Sequence, residues 1–371
     1  MPETALVAAM MGPRQPFKLI EYPVPEPERG AVLVKVSLAN ICGSDLHLWH
    51  GTYKPSDTGR ANFRSMGHEM CGIVAKLGEG VTHDSAGQPL RLGDRVAYRY
   101  FIPCNHCRAC LRKRTPRCPQ GMRFRHPPDV WPHFNAAYGQ YYYLHPGHTI
   151  FKIPPQVTDD LAAPANCALA QVIYGLDRAQ ASIGDHVVIQ GAGGLGIVAV
   201  AVAKEKGVAQ VIVIDALEDR LELAREFGAD HVISMKQYST ADDRVRRVRQ
   251  LTDGWGADVV LEVAGRASAV PEGVELLGNG GTYVEIGNIC EDDACTFTPA
   301  SLVLGGKNIL GLMWYEAESL HKAVQFLATN HDRYPFQKLL AQHYPLTAIN
   351  DAFAAQDAGQ FSRVALEPWE S

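Results

Sequence analysis

Four thiols fall within fifteen residues of this chain, Cys104-x-x-Cys107-x-x-Cys110 and then Cys118, a spacing that lets one loop close around a single tetrahedral ion. Zn2+ held by four thiolates keeps no coordination position for a substrate, so this set reads as a structural site. His106, Arg108, Arg112, Lys113, Arg114 and Arg117 surround it and partly offset the thiolate charge. Redox staples are the lesser alternative.

A second stretch can hold a different ligand. The apolar run Val188-Ile-Gln190 enters Gly191-Ala-Gly193-Gly194-Leu195-Gly196 and continues as an alanine-rich segment, the strand, glycine turn and helix that bind a dinucleotide pyrophosphate. Gly191 permits the tight turn, Gly193 lets backbone approach phosphate, and Gly196 lets the helix close on the strand. A second strand, Gln210-Val-Ile-Val-Ile-Asp215, ends in an acid about twenty residues further on, where a ribose-binding carboxylate belongs. Arg220 is near enough in sequence to reach the same region, although Leu217 to Glu222 reads more simply as the start of an amphipathic helix.

A third set is dispersed: Cys42 in Ile41-Cys-Gly-Ser-Asp-Leu-His47, His68 and Glu69 in Gly67-His-Glu-Met70, and Cys167 in Ala165-Asn-Cys-Ala168. Each alone is ordinary, because a single Cys most often packs as a small hydrophobe and a single His is most often a satisfied core or surface residue.

The elements that must position these groups fall into two patterns. From Ala5 to about Leu33, prolines punctuate short extended pieces, and Ala31 to Leu38, Met70 to Leu77 and Asp94 to Tyr100 read as strands of a compact β-barrel-like domain. After Pro154-Pro155 the pattern changes. Asp159 to Arg178 reads as helical, then strands at 187–190, 211–215, 231–234, 259–263 and 282–286 alternate with helices as in a doubly wound parallel sheet. Asn308 to Met313 can add an edge strand, and the remainder, with a helix near Ser319 to Asn330 and a strand from Ser362, is too short to stand alone and returns to the first domain.

The 371 residues suit two domains, and 46% apolar with 20% charged residues is ordinary for a globular protein. A net charge of −5 with no basic stripe argues against nucleic acid, and the run Arg244 to Arg249 reads as a solvated helix face. The opening Met1-Pro-Glu-Thr-Ala-Leu-Val lacks a basic region before an apolar core, and no apolar run is long enough to span a bilayer, so a cytoplasmic protein without a membrane partner is expected.

With these motifs in this order, the chain resembles the zinc-dependent medium-chain alcohol dehydrogenases over nearly its whole length. The resemblance implies an α/β protein: a GroES-like β-rich catalytic domain over 1–155 with both zinc sites, a Rossmann domain over 156–307, and an edge strand and return over 308–371. It implies Cys42, His68 and Cys167 as ligands of a catalytic zinc, Glu69 as an acid that approaches or ligates the same ion, and the four-cysteine lobe as the structural zinc site. Asp215 matches the acid that selects NAD(H), beside the loop Gly191, Gly193, Gly194, Leu195 and Gly196. Ser44 and His47 match a relay taking the substrate hydroxyl proton through the cofactor ribose to solvent, Asp45 orients His68, and Arg363 matches an arginine near the cofactor phosphates and the metal-side acid. Gly43 and Gln171 depart from the arginine and the small hydroxyl residue of many relatives. A homodimer or homotetramer is implied.

The expected chemistry is Lewis-acid activation of an alcohol with hydride passing to nicotinamide. The rival is a non-catalytic binding protein on the same scaffold, but such a protein has no reason to keep zinc ligands, relay and glycine loop together. Tyr100 matches a channel-lining position, and Trp49, Trp131, Phe134 and Trp314 can add aromatic walls or simply pack the core. The expected substrate is a mostly apolar primary or secondary alcohol, with a polyol or threonine-type substrate as the alternative.

Overall fold

The computed structural model describes residues 2–53, 63–361 and 363–369. The chain forms two compact units, one from 1–170, 314–331 and 336–371 and the other from 171–313 and 332–335.

The first unit is built on antiparallel strands. Val32–Asn40 lies at its centre, paired with Glu69–Leu77 on one side and with Val364–Glu367 and Tyr141–Leu144 on the other. Arg95–Tyr98 and Ile150–Lys152 extend the sheet beyond Glu69–Leu77, and Gln342–Pro345 extends it beyond Val364–Glu367. Val34, Val36, Met70, Val74, Val96 and Tyr142 bury one continuous core between these strands. Register places the chemistry. Asn40 lies opposite Glu69 and Ala365 opposite Asn40, so Cys42, His68 and Arg363 all emerge at one end of three neighbouring strands.

The second unit is a six-stranded parallel sheet in the order His231–Ser234, Gln210–Asp215, His186–Gln190, Ala257–Glu262, Leu277–Glu285, Asn308–Gly311. In chain order that is 3-2-1-4-5-6, the doubly wound arrangement. Fully buried Val187, Val188, Val213, Val260 and Leu261 make its central strands apolar on both faces. Asn308–Gly311 supplies the edge strand. Among the described residues, no helix is long and apolar enough to cross a membrane.

Three readings change. Residues 156–170, grouped from sequence with the second domain, pack in the first unit: Arg95 pairs with Asp159, Cys71 Sγ donates to Asp159 O at 3.6 Å, and Asn166 Nδ2 donates to Tyr98 O at 2.9 Å. The single helix expected over 159–178 is broken into Asp159–Ala162, a 3-10 turn over Ala163–Asn166 and a helix over Ala168–Arg178. Pro164 removes a helix donor, and Cys167 between the last two pieces takes φ −127° and ψ −85°. The run 244–249 is not wholly solvated. Arg244 is buried on the helix Ala241–Leu251 and binds both oxygens of buried Glu272, at 2.8 and 2.7 Å, because a guanidinium fork satisfies a carboxylate in two places. The last strand is Val364–Glu367, and Ser362 lies outside the described residues.

Breaking a buried ion pair from one side strands a charge. Glu272→Ala is therefore expected to cost about 3–5 kcal/mol in urea unfolding, whereas Arg244→Met with Glu272→Leu recovers most of it. Equal losses in the single and double variants would contradict this reading.

Candidate catalytic and cofactor sites

The dispersed residues converge. One donor atom from each of Cys42, His68, Glu69 and Cys167 lies within 4.8 Å of the others, and Cys167 Sγ is 3.3 Å from His68 Nε2. Cys42 precedes the helix Gly43–His50, His68 precedes the strand Glu69–Leu77, and Cys167 occupies the break described above. Asn166 fixes that break, since its carbonyl also accepts from the Tyr315 hydroxyl.

Behind the cluster sits Asp45, 3% exposed. One carboxylate oxygen lies 3.3 Å from His68 Nδ1, and the other accepts from Cys42 N at 3.1 Å and from Tyr138 Oη at 2.8 Å. An Nδ1–H donated to Asp45 leaves Nε2 as the lone-pair nitrogen facing the thiols. Gly67 makes room for this arrangement. Its φ is +88°, and a Cβ there would meet the Tyr138 ring at 2.6 Å.

The thiols and the acid are strongly coupled. Their mutual hydrogen bond draws the Cys42 thiol well below its usual range and pushes Cys167 well above it. Burial opposes charge on His68, but Asp45 and Cys42 outweigh it and hold the imidazole well above its ordinary value. Burial, then the charge of Cys42, pushes Glu69 up to about 8, against the pull of Arg363, whose Nη1 is 3.3 Å from Glu69 Oε2. Two thiols, an imidazole and a carboxyl drawn together at one buried point fit a zinc ion, which replaces their protons and compensates their charge. Ser44 Oγ lies 3.5 Å from His68 Nε2, and His47, one turn along the same helix, places Nδ1 3.3 Å from Thr52 Oγ1.

The four-cysteine lobe also fits zinc. Sγ separations of 3.5 Å (Cys107 to Cys110), 3.9 Å (Cys107 to Cys118) and 4.0 Å (Cys104 to Cys110) bracket the ~3.8 Å edge of a tetrahedron with Zn–S bonds of about 2.3 Å. They are far too long for a disulfide. Backbone N–H groups already point at sulfur, from Cys104 to Cys118 Sγ and from Cys107 to Cys104 Sγ, both at 3.3 Å. Such bonds, from His106 first and also from Cys107, bring Cys104 down to about 6, while burial pushes Cys110 up to about 12.

In the second unit the three glycines take different geometries. Gly191 has φ +100° and a Cβ on it would sit 2.9 Å from Ala264; one on Gly196 would strike Gly191 O at 1.9 Å. Gly193, the N-cap of the helix Gly194–Glu205, has nothing within 4 Å of such a Cβ, so this side of the turn is open. Asp215 is 8% exposed and accepts from Ala192 N at 2.7 Å and Leu217 N at 2.9 Å. Those bonds fix the carboxylate to the loop and leave further lone pairs for ribose hydroxyls. Arg220 is exposed on the helix Glu218–Glu226. Gln171 is 8% exposed, and its Nε2 has no hydrogen-bond partner among the described residues.

Of the aromatic residues considered from sequence, Tyr100 meets the cluster, its ring centroid 4.9 Å from that of His68. Phe101 continues this wall and stacks on Trp314 at 5.0 Å. The others do different work: Trp49 packs against Phe353, Phe134 is core beside Tyr141, and Trp131 is half exposed against Tyr143. Tyr138, Asn166 and Tyr315 were missed, because a lone Tyr or Asn in sequence carries no sign of the carboxylate or carbonyl it will meet.

Comparison with known proteins agrees with this geometry. Residues 28–155 match the family model for an alcohol dehydrogenase GroES-like domain, and residues 194–329 match that for a zinc-binding dehydrogenase. The chain is 32% identical to 5-exo-hydroxycamphor dehydrogenase of Pseudomonas putida, over 97% of this chain and 98% of that protein. It is 30% identical to L-threonine 3-dehydrogenase of Paraburkholderia phytofirmans, over 94% and 95%. The structure superposes on an alcohol dehydrogenase from Thermotoga maritima with a TM-score of 0.89 at 29% identity, covering 99% of this chain and 100% of that one. With benzyl alcohol dehydrogenase from Acinetobacter calcoaceticus the TM-score is 0.83 at 25% identity, over 99% of both chains. A buried cluster of two thiols, an imidazole and a carboxyl, a separate four-thiol lobe and a glycine turn on a 3-2-1-4-5-6 sheet thus share one chain with relatives of the same build, and the chain belongs to the zinc-dependent medium-chain alcohol dehydrogenases, oxidoreductases acting on CH–OH groups.

Proposed function

We propose that this enzyme transfers hydride between NAD and a mostly apolar primary or secondary alcohol of cyclic or aromatic character. The convergence of Cys42, His68 and Cys167, with Glu69 beside them, carries the reading, because two thiolates and one imidazole leave a fourth position on zinc for substrate. Zinc, when bound, supplies the Lewis acid that acidifies the alcohol, and NAD supplies the hydride acceptor. The chain's own residues then do four things. Asp45 holds His68 in one tautomer; Tyr100 packs its ring against the imidazole; Ser44 Oγ accepts the hydroxyl proton as it gives up its own; and His47, half-buried at the far end of that turn, releases a proton to solvent, with the cofactor ribose bridging the two when bound. Arg363 partners Glu69 so that this acid does not stand as a lone buried charge. The Cys104, Cys107, Cys110 and Cys118 lobe serves as a closed structural site. A homodimer or homotetramer in the cytoplasm is the matching assembly and location.

The two metal sites are separable by mutation. Purified protein should carry about two zinc ions per chain. Cys42→Ser should abolish alcohol oxidation with little change in Tm, and Cys107→Ser should lower Tm and yield of folded protein. The reverse pattern in thermal unfolding and activity would invert the assignment.

Asp215 supports NAD, since its charge repels a 2′-phosphate while its free lone pairs accept ribose hydroxyls. At least a tenfold preference for NAD in kcat/KM is expected, about 1.4 kcal/mol, and Asp215→Ser should erode it. Comparable efficiency with NADP in the parent enzyme would refute this.

Substrate class rests on two supports: the Tyr100 wall beside His68 and the similarity to hydroxycamphor dehydrogenase. Similarity to threonine dehydrogenases favours the alternative. In a panel of 5-exo-hydroxycamphor, cyclohexanol, benzyl alcohol, 2,3-butanediol, sorbitol and threonine with NAD, the cyclic and aromatic alcohols should give the highest kcat/KM. A clear preference for threonine or sorbitol would establish the alternative.

A further inference from the structure

A small cavity of about 10 Å3 lies in the first unit, walled in part by Tyr100, Phe101, Arg125, Asn135, His145 and His148. That is room for the centre of one small occupant, a water or an ion of halide size. The proposed reaction uses none of its polar groups.

Several of those groups are buried and unsatisfied. Asn135 is 3% exposed and His145 6%, yet both amide atoms of Asn135, Nε2 of His145 and Nε of Arg125 have no hydrogen-bond partner among the described residues. Arg125 is anchored elsewhere, because its Nη2 donates to Gly67 O. Its Nε–H is thus held in place.

The surroundings are cationic. Among the described residues, no Asp or Glu lines the cavity. Buried Arg99 keeps Nε and Nη1 unpartnered among the described residues, and Glu316, the acid whose charge it senses, already accepts from Thr115 N at 3.0 Å and from Thr115 Oγ1. Burial, with the charges of His126 and Arg123, holds His145 down at about 4; burial, with contributions from His145, Arg99 and Arg123, holds His148 down at about 3. Both imidazoles are therefore neutral at pH 7; His148 commits its one N–H, at Nδ1, to the His145 carbonyl at 3.1 Å, so His145 is the imidazole with an N–H to present. Glu28 comes within 3.9 Å of His145 Nδ1 but is half exposed and outside the wall.

We propose that this cavity binds one monovalent anion of halide size, held by the Arg125 guanidinium, the Asn135 amide and a histidine N–H. Water can meet the same hydrogen bonds but brings no charge to set against half-buried Arg125, whose Nε is shielded, and buried Arg99 behind Phe101, and that offset decides between the two. Since Arg125 also holds the carbonyl of Gly67, the residue before His68, occupancy steadies the approach to the catalytic cluster.

The full-length, zinc-loaded protein is melted in sodium chloride, bromide and gluconate at matched ionic strength, and crystals grown from gluconate are soaked in bromide for anomalous diffraction. The expected result is a saturable rise in Tm with either halide over gluconate, and one bromine peak between Arg125 and Asn135. Asn135→Asp, nearly isosteric but anionic, should lose the halide shift, and Arg125→Gln serves the same purpose should the first variant not fold. Absence of the bromine peak, density for water alone, or a halide shift undiminished in either variant would overturn the proposal.

Discussion

The carboxylate of Asp45 is the contact on which the catalytic end of this molecule depends. Buried in the first unit, it takes a backbone donor from Cys42, a hydroxyl from Tyr138 and lies against the imidazole of His68. Burying an anion is costly unless its lone pairs are met by donors, and here the donors are also the parts that have to be positioned. The bond to Cys42 N closes the first turn of the helix Gly43–His50 in a capping box. The contact with His68 selects a tautomer, and Tyr138 carries the arrangement into the aromatic core, edge-on to Phe17 and Phe353. Helix start, ligand geometry and core packing share one group.

The two thiol sites illustrate different uses of the same chemistry. In the lobe, thiols from one short loop meet backbone N–H groups and surround a point completely. In the cluster, ligands come from three distant stretches, and partners outside the donor set, Asp45 and Arg363, orient or balance them. A local loop needs little from the rest of the fold. A dispersed set needs a rigid frame, which the strands around Val32–Asn40 provide.

This difference also explains what the sequence made legible. The four cysteines and the glycine turn were readable because their spacing along the chain is itself the geometry, and the strand-helix alternation gave the parallel sheet with its edge strand. Cys42, His68 and Cys167 were nameable only through family resemblance, since nothing local distinguishes them from core residues. Tyr138 was not readable, because its role arises from Gly67 and Asp45 meeting in space. The helix over 159–178 was misread as continuous: its apolar pattern runs through Pro164 and hides the break that presents Cys167. Arg244 looked like surface for a similar reason, as its neighbours on the run are solvated while its own partner, Glu272, lies on another helix.

The pairing of Asn40 with Glu69 and with Ala365 sets how this site can vary. Cys42 lies two residues beyond one strand position, His68 one residue before its neighbour, and Arg363 two residues before the third. Side chains within the strands can be exchanged freely as long as they fill the core, because hydrogen-bonded register rather than their identity fixes where the strands end. Adding or deleting one residue between Asn40 and Cys42 has no such latitude, for it turns the thiol to another direction. The site is thus robust to substitution within the strands and brittle to changes in length at their ends.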